Sequence, residues 1–170
     1  MKTNIMVLIL LLLSFLSCEK FKESDDVLTL QRQNYFGSDL LINGIYFTVK
    51  ENFEGSYYQR YALYRNGIIR DLGAAIEIDS PDILTGKSKV HWGVFQIYSN
   101  EIKFEKWYPS SGGPLKAYIR AGNILNDTTF VITESYRMKK GKKTEVRDKS
   151  ETYHFRQFSP KPDSTNVYVK

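Results

Sequence analysis

The chain has 170 residues, a formal net charge of +5, 42% hydrophobic residues, one cysteine and two histidines. That length suits one domain, which can bury about 68–70% of its unfolded surface without a disulfide or structural metal. A single cysteine excludes an intramolecular disulfide, and His91 and His154, far apart in sequence, offer no metal-ligand spacing.

Ile5 to Leu16 is almost unbroken apolar sequence after the short basic start Met1-Lys2-Thr3-Asn4, and it runs into Ser17-Cys18. It is too short to cross a hydrocarbon core of ~30 Å, which takes roughly 20 apolar residues. It has the layout of a secretory signal, with a charged start, an apolar stretch and a small residue at the cut. Leu13-Ser14-Phe15-Leu16-Ser17-Cys18 resembles the lipobox of Bacteroidetes-type lipoproteins, in which the cysteine is acylated and becomes the new N-terminus. The resemblance makes 1–17 the signal peptide and Cys18 the lipidated residue. The expected address is the cell envelope, with the protein held on a membrane, the outer one, by its lipid. Residues 18–37 are polar and charged and read as a flexible tether, ending in one helical turn around Asp26–Gln33.

From Ser38 the pattern turns to strands and tight turns, in keeping with 14% aromatic residues, led by twelve Tyr and ten Phe. Leu40 to Val49 is the first β-prone run and carries an Asn43-Gly44 interruption. Tyr57 to Arg65 follows, then Asn66-Gly67 ahead of Ile68-Ile69, a signal for a type I′ hairpin turn. Ala74–Ile78 reads as a separate short strand before Ser80-Pro81-Asp82. Around Ser99-Asn100 the register itself is readable: Tyr98 should face Glu101, Ile97 face Ile102, and Phe95 face Phe104, with Trp92 opposite Trp107 on the other side. Lys116–Arg120 leads to Ile124-Leu125, an Asn126-Asp127 turn, and Thr128 to Thr133. A last long pair covers Phe130–Arg137 and about Glu145–Phe155, with Lys139-Lys140-Gly141-Lys142-Lys143 at its tip. Pro160 and Pro162 end the ladder, leaving a tail, 159–170, with an edge strand at Val167–Val169.

About eight short strands in sequence, with almost no helix, predict an all-β domain over 38–158. The expected form is an antiparallel up-and-down meander closed into a barrel, the alternative a two-sheet β-sandwich. Asn43-Gly44-Ile45-Tyr46-Phe47, Leu63-Tyr64-Arg65-Asn66-Gly67, Trp92 to Ile97 and Gly122 to Phe130 resemble uncharacterised lipocalin-like (calycin) lipoproteins. The resemblance spans roughly Leu40 to Phe158 and implies a monomeric lipocalin-like barrel.

No nucleophile elbow, phosphate loop or metal cluster stands out, so no catalytic residue, cofactor or metal is expected. Both faces of the Ser99-Asn100 hairpin carry apolar side chains, so something must cover the second face: a helix, another protein or a ligand. Trp92, Trp107 and Tyr108 are the candidate ligand platform there, for a small hydrophobic or amphipathic molecule or an envelope protein. Lys139, Lys140, Lys142 and Lys143 are candidates for contact with an anionic surface. Nucleic acid is not an expected partner of an exported lipoprotein. The leading expectation is therefore non-catalytic binding at the envelope. The others are an assembly role through the basic hairpin, and hydrolysis by the carboxylates of Glu101 and Glu105.

Overall fold

The computed structural model describes residues 24–80 and 85–170. The signal segment, Cys18 and the start of the tether lie outside the described residues. Eight antiparallel strands form a closed barrel: β1 (Gly44–Asn52), β2 (Gly55–Leu63), β3 (Ile68–Ala75), β4 (Trp92–Tyr98), β5 (Glu101–Ser110), β6 (Gly113–Asn126), β7 (Thr129–Lys139) and β8 (Lys142–Gln157). Each strand pairs with its neighbours in sequence, and β1 with β8 completes the ring, so no sheet edge is left open. Among the described residues the helical content is one 3-10 turn, Lys89–His91. The meander expectation holds; the sandwich does not.

The β4–β5 hairpin has the register its sequence specifies: Tyr98 opposite Glu101, Ile97 opposite Ile102, Phe95 opposite Phe104. A one-residue slip would send Phe95 and Phe104 out of the lumen, so burial enforces the pairing. The lumen is packed with Tyr46, Tyr61, Phe95, Phe104, Phe130, Ile132 and Tyr153; Tyr46 and Phe130, and Tyr61 and Phe104, meet at tilted angles, while Phe130 and Tyr153 stack at 4.9 Å.

Local details depart from expectation for identifiable reasons. At Asn66-Gly67 only Gly67 has positive φ (77°), and its N–H donates to the carbonyl of Tyr64. This is a three-residue loop, a type I turn closed by a left-handed glycine, rather than a type I′ turn. The type I′ pattern occurs instead at Lys140-Gly141, both at positive φ (50° and 76°), in the β7–β8 hairpin. Ala74 is no separate strand: Gly73 donates to the Asp71 carboxylate at 2.9 Å, a bulge opposite Arg60 and Tyr61 absorbs the irregularity, and β3 runs on to Ala75. Val167–Val169 forms no edge strand, because a closed barrel offers no edge to join. No helical turn forms at Asp26–Gln33. That stretch lies extended on the barrel, with Val27 and Thr29 outward and Leu28 and Leu30 packed inward.

The described part of the expected tether, residues 24–37, is thus held along the outside of the barrel. Asp26 anchors this strap by accepting from the backbone of Ala117 and from Arg137, at 2.5 and 2.6 Å. Glu105, almost wholly buried, accepts from the backbone N–H groups of Thr29 and Leu30 at 2.6 and 2.7 Å. The C-terminal tail covers a neighbouring patch, where Tyr168 and Val169 pack with Trp92 and Val94. Further along, residues 35–42 cross one end of the barrel and close it. Tyr35 and Leu40 enter the lumen core, and Leu41 donates to the Asp127 carbonyl at 2.8 Å.

Candidate functional site

With one end stoppered by Tyr35 and Leu40, the other end decides what the barrel can bind. The β1–β2, β5–β6 and β7–β8 hairpins all rise there, and β3 ends and β4 begins there. Between the β5–β6 and β7–β8 hairpins opens a cleft of about 660 Å³. A second cleft of about 680 Å³ lies on the rim near the β1–β2 hairpin and the end of β3, with Glu54 and Glu77 among its walls.

Above the aromatic core the inward side chains change character. Period-2 alternation carries β1 from Tyr46 through Thr48 to Lys50, and β5 from Phe104 to Lys106 and Tyr108. On β6 and β8 the corresponding residues are Arg120 and Glu151. Arg120 donates to Glu151 at 2.7 Å and to the Tyr153 hydroxyl oxygen at 3.1 Å, and Tyr153 in turn donates to Glu151 at 3.1 Å. Lys50 and Lys149 approach the same carboxylate at 2.8 and 3.7 Å. Burial opposes the Glu151 charge, yet the Lys50 hydrogen bond and the field of Arg120 hold its carboxyl below the usual range. Alongside, the buried Lys106 ammonium pairs with Asp71 and lies over the rings of Tyr61 and Tyr108, 5.6 and 4.5 Å from their centroids.

The cleft rises from this floor. Its walls carry Lys116, Arg120, Arg137, Arg147 and Lys149, together with Tyr108, Tyr118, Ser110 and Ser135, and none of the lining residues among those described is a carboxylate. Register explains the grouping: Arg120 on β6 is opposite Ser135 on β7, which is opposite Arg147 on β8, and Lys116 is opposite Tyr108 on β5. Not all these cations are free. Arg137 is engaged by Asp26 and by Glu145 at 3.1 Å, which raises its pKa. Glu145 accepts from the Tyr118 hydroxyl and sits below the usual carboxylate range.

The sequence candidates fall in different places. Trp92 and Trp107 are 2% and 4% exposed, covered by the strap and tail, with their indole N–H groups donating to the carbonyls of Gly86 and Asp26. The second face of their hairpin is therefore covered by the chain's own ends. Tyr108 stands apart from them, in the wall of the cleft. Lys143 donates to Glu134 at 2.6 Å and lies over the Tyr136 ring, while Lys139, Lys140 and Lys142 ring the exposed Lys140-Gly141 turn. Glu101 pairs with Lys103 at the surface, while Glu105 is under the strap, where burial raises its pKa despite two backbone donors. Among the described residues no group of three or more His, Cys, Asp or Glu could hold a metal.

Sequence reasoning missed Arg120, Glu151, Ser135 and Lys50. Each sits in an alternating strand that reads equally well as a solvated face; only ring closure turns these positions inward. Comparison with family models, with curated proteins and with solved structures found no match to this chain.

Proposed function

We propose that this is a lipid-anchored envelope protein, a lipocalin-like barrel held on the outer membrane through Cys18, that binds a small ligand non-catalytically at its open end. The observation carrying the reading is the asymmetry of the barrel. One end is filled by Tyr35 and Leu40, while the other carries a 660 Å³ cleft walled by inward-facing polar and aromatic side chains. Volumes of this size are typical of small-molecule sites. The aromatic packing below leaves the ligand at the mouth rather than deep in the lumen, which favours an amphipathic molecule over a wholly apolar one. Glu105, the better-placed carboxylate of the hydrolytic alternative, holds the strap instead.

Native mass spectrometry of protein purified from its own membrane tests this, with the variant Ser135→Trp as control. Ser135 is 7% exposed and lines the cleft, so the indole should fill it. A small molecule should accompany the wild type and be absent from the variant. A wild type and variant that both carry nothing, across extracts of the native envelope, would overturn the reading.

A further inference from the structure

The charge at the mouth does not balance. Glu151 is one carboxylate facing Lys50, Arg120 and Lys149. Arg147, across β7 from Arg120, is in no ion pair among the described residues, and it faces the same space. The Tyr108 hydroxyl is shielded from solvent in the cleft wall and has no hydrogen-bond partner, and the Arg120 guanidinium lies 5.7 Å from its ring. A shielded hydroxyl left without a partner is destabilising, because its desolvation is not repaid by a hydrogen bond. Excess positive charge in a partly enclosed cleft is likewise unfavourable unless something negative shares the site.

We propose that the mouth binds an anionic group, a carboxylate or phosphate ester, on a small organic ligand. Arg147, Lys149 and Arg120 supply the cationic field, and the hydroxyls of Tyr108 and Ser135 supply neutral donors. Arg120 on β6 and Arg147 on β8 flank Ser135 of β7, so their backbones are two inter-strand spacings, about 10 Å, apart, a span that two long arginine side chains can close around one anion. This names the ligand class for the site in the preceding section and rests on that reading. The same chemistry fits a free phosphate ester and a phospholipid headgroup.

Calorimetric titration of the full-length chain in neutral detergent separates the outcomes. The probes are phenyl phosphate, phenol as its uncharged counterpart, and the short-chain lipids dihexanoyl phosphatidylglycerol and dihexanoyl phosphatidylcholine. Phenyl phosphate or the phosphatidylglycerol should bind, and phenol and the phosphatidylcholine at least tenfold more weakly. Which anion binds tells the free ester from the headgroup. Arg147→Gln with Lys149→Gln should weaken the anion at least tenfold. Lys139→Gln with Lys142→Gln at the hairpin tip removes the same net charge and should change it less than twofold. Tyr108→Phe, which retains the ring, should weaken binding at least twofold. Equal losses in the two double variants would overturn the proposal in favour of diffuse surface attraction. Failure of both anions to bind while a neutral molecule accompanies the purified wild type would overturn the anionic class and leave the ligand site standing.

Discussion

Glu151 is where stability and binding meet at the scale of one residue. Its carboxylate is 8% exposed and touches Arg120, Lys50 and Lys149, with Tyr153 as a further donor. Removing one partner from a buried ion pair costs more than the pair contributes, because the remaining charge stays desolvated. Glu151→Gln is therefore expected to lower unfolding free energy by about 3 kcal/mol, measured by urea titration. The variant should also recover more stability than the wild type when inorganic phosphate is added, since an anion binding only the folded state stabilises it by mass action. Equal recovery in the two proteins would show that the Glu151 charge has no influence on anion binding at the mouth. Glu151 was not legible as a site residue. In Lys149-Ser150-Glu151-Thr152-Tyr153 it alternates like any exposed strand glutamate, and its role depends on β1 closing against β8.

Among the elements, the strap shows how far local pattern can be read and where it stops. The β4–β5 register was legible because one face is continuously apolar, and a slip would expose Phe95 and Phe104. Polar composition near 24–33 suggested a tether, but the alternation Val27-Leu28-Thr29-Leu30 was the available signal for an extended segment docking one side. Its docking partners are distant in sequence: Glu105, Ala117 and Arg137. The same strap resolves why the hairpin is apolar on both faces, a conflict visible in the sequence without its solution. Asp26→Ala removes the acceptor for Arg137, itself 5% exposed, and should cost about 2–3 kcal/mol. The loss should be local. Trp107 is tied to the strap through the Asp26 carbonyl, whereas Trp92 is held by Gly86 and stacked under Arg70 at 4.9 Å. Acrylamide quenching should rise in Asp26→Ala when Trp107 is the sole tryptophan (Trp92→Phe) and stay low when Trp92 is (Trp107→Phe). Equal exposure of both rings would mean that strap and tail loosen as one unit.

For the whole molecule, pH acts on the carboxylates that fasten the strap and mouth and on the lysine that fastens the tail. Asp26 is held below the ordinary range by the Arg137 hydrogen bond, Glu145 by Tyr118, and Glu151 by Lys50 and Arg120 against its burial. Each folded pKa lies below its unfolded value, so their stabilisation is present above about pH 4 and is lost as pH falls through the native values. Glu105 has the opposite sign: its raised pKa makes a contribution that fades as pH rises, which blunts part of that acid loss. At the alkaline side, Lys161 packs its ammonium against the carbonyls of Ile42 and Leu63 and the Tyr64 ring, pinning the tail across the plugged end. Burial brings its pKa down to about 8. Between there and the unfolded lysine value of about 10.4, the native state binds fewer protons than the unfolded chain, so this site's contribution to stability grows as pH rises. The difference in unfolding free energy between wild type and Lys161→Met isolates it from the other titrating groups. That difference should shift in favour of the wild type by about 2 kcal/mol between pH 7.5 and 10.5, followed by chemical denaturation at fixed ionic strength. A flat difference would mean that the two carbonyls and the Tyr64 ring fully offset burial, leaving the ammonium as stable inside the fold as in water.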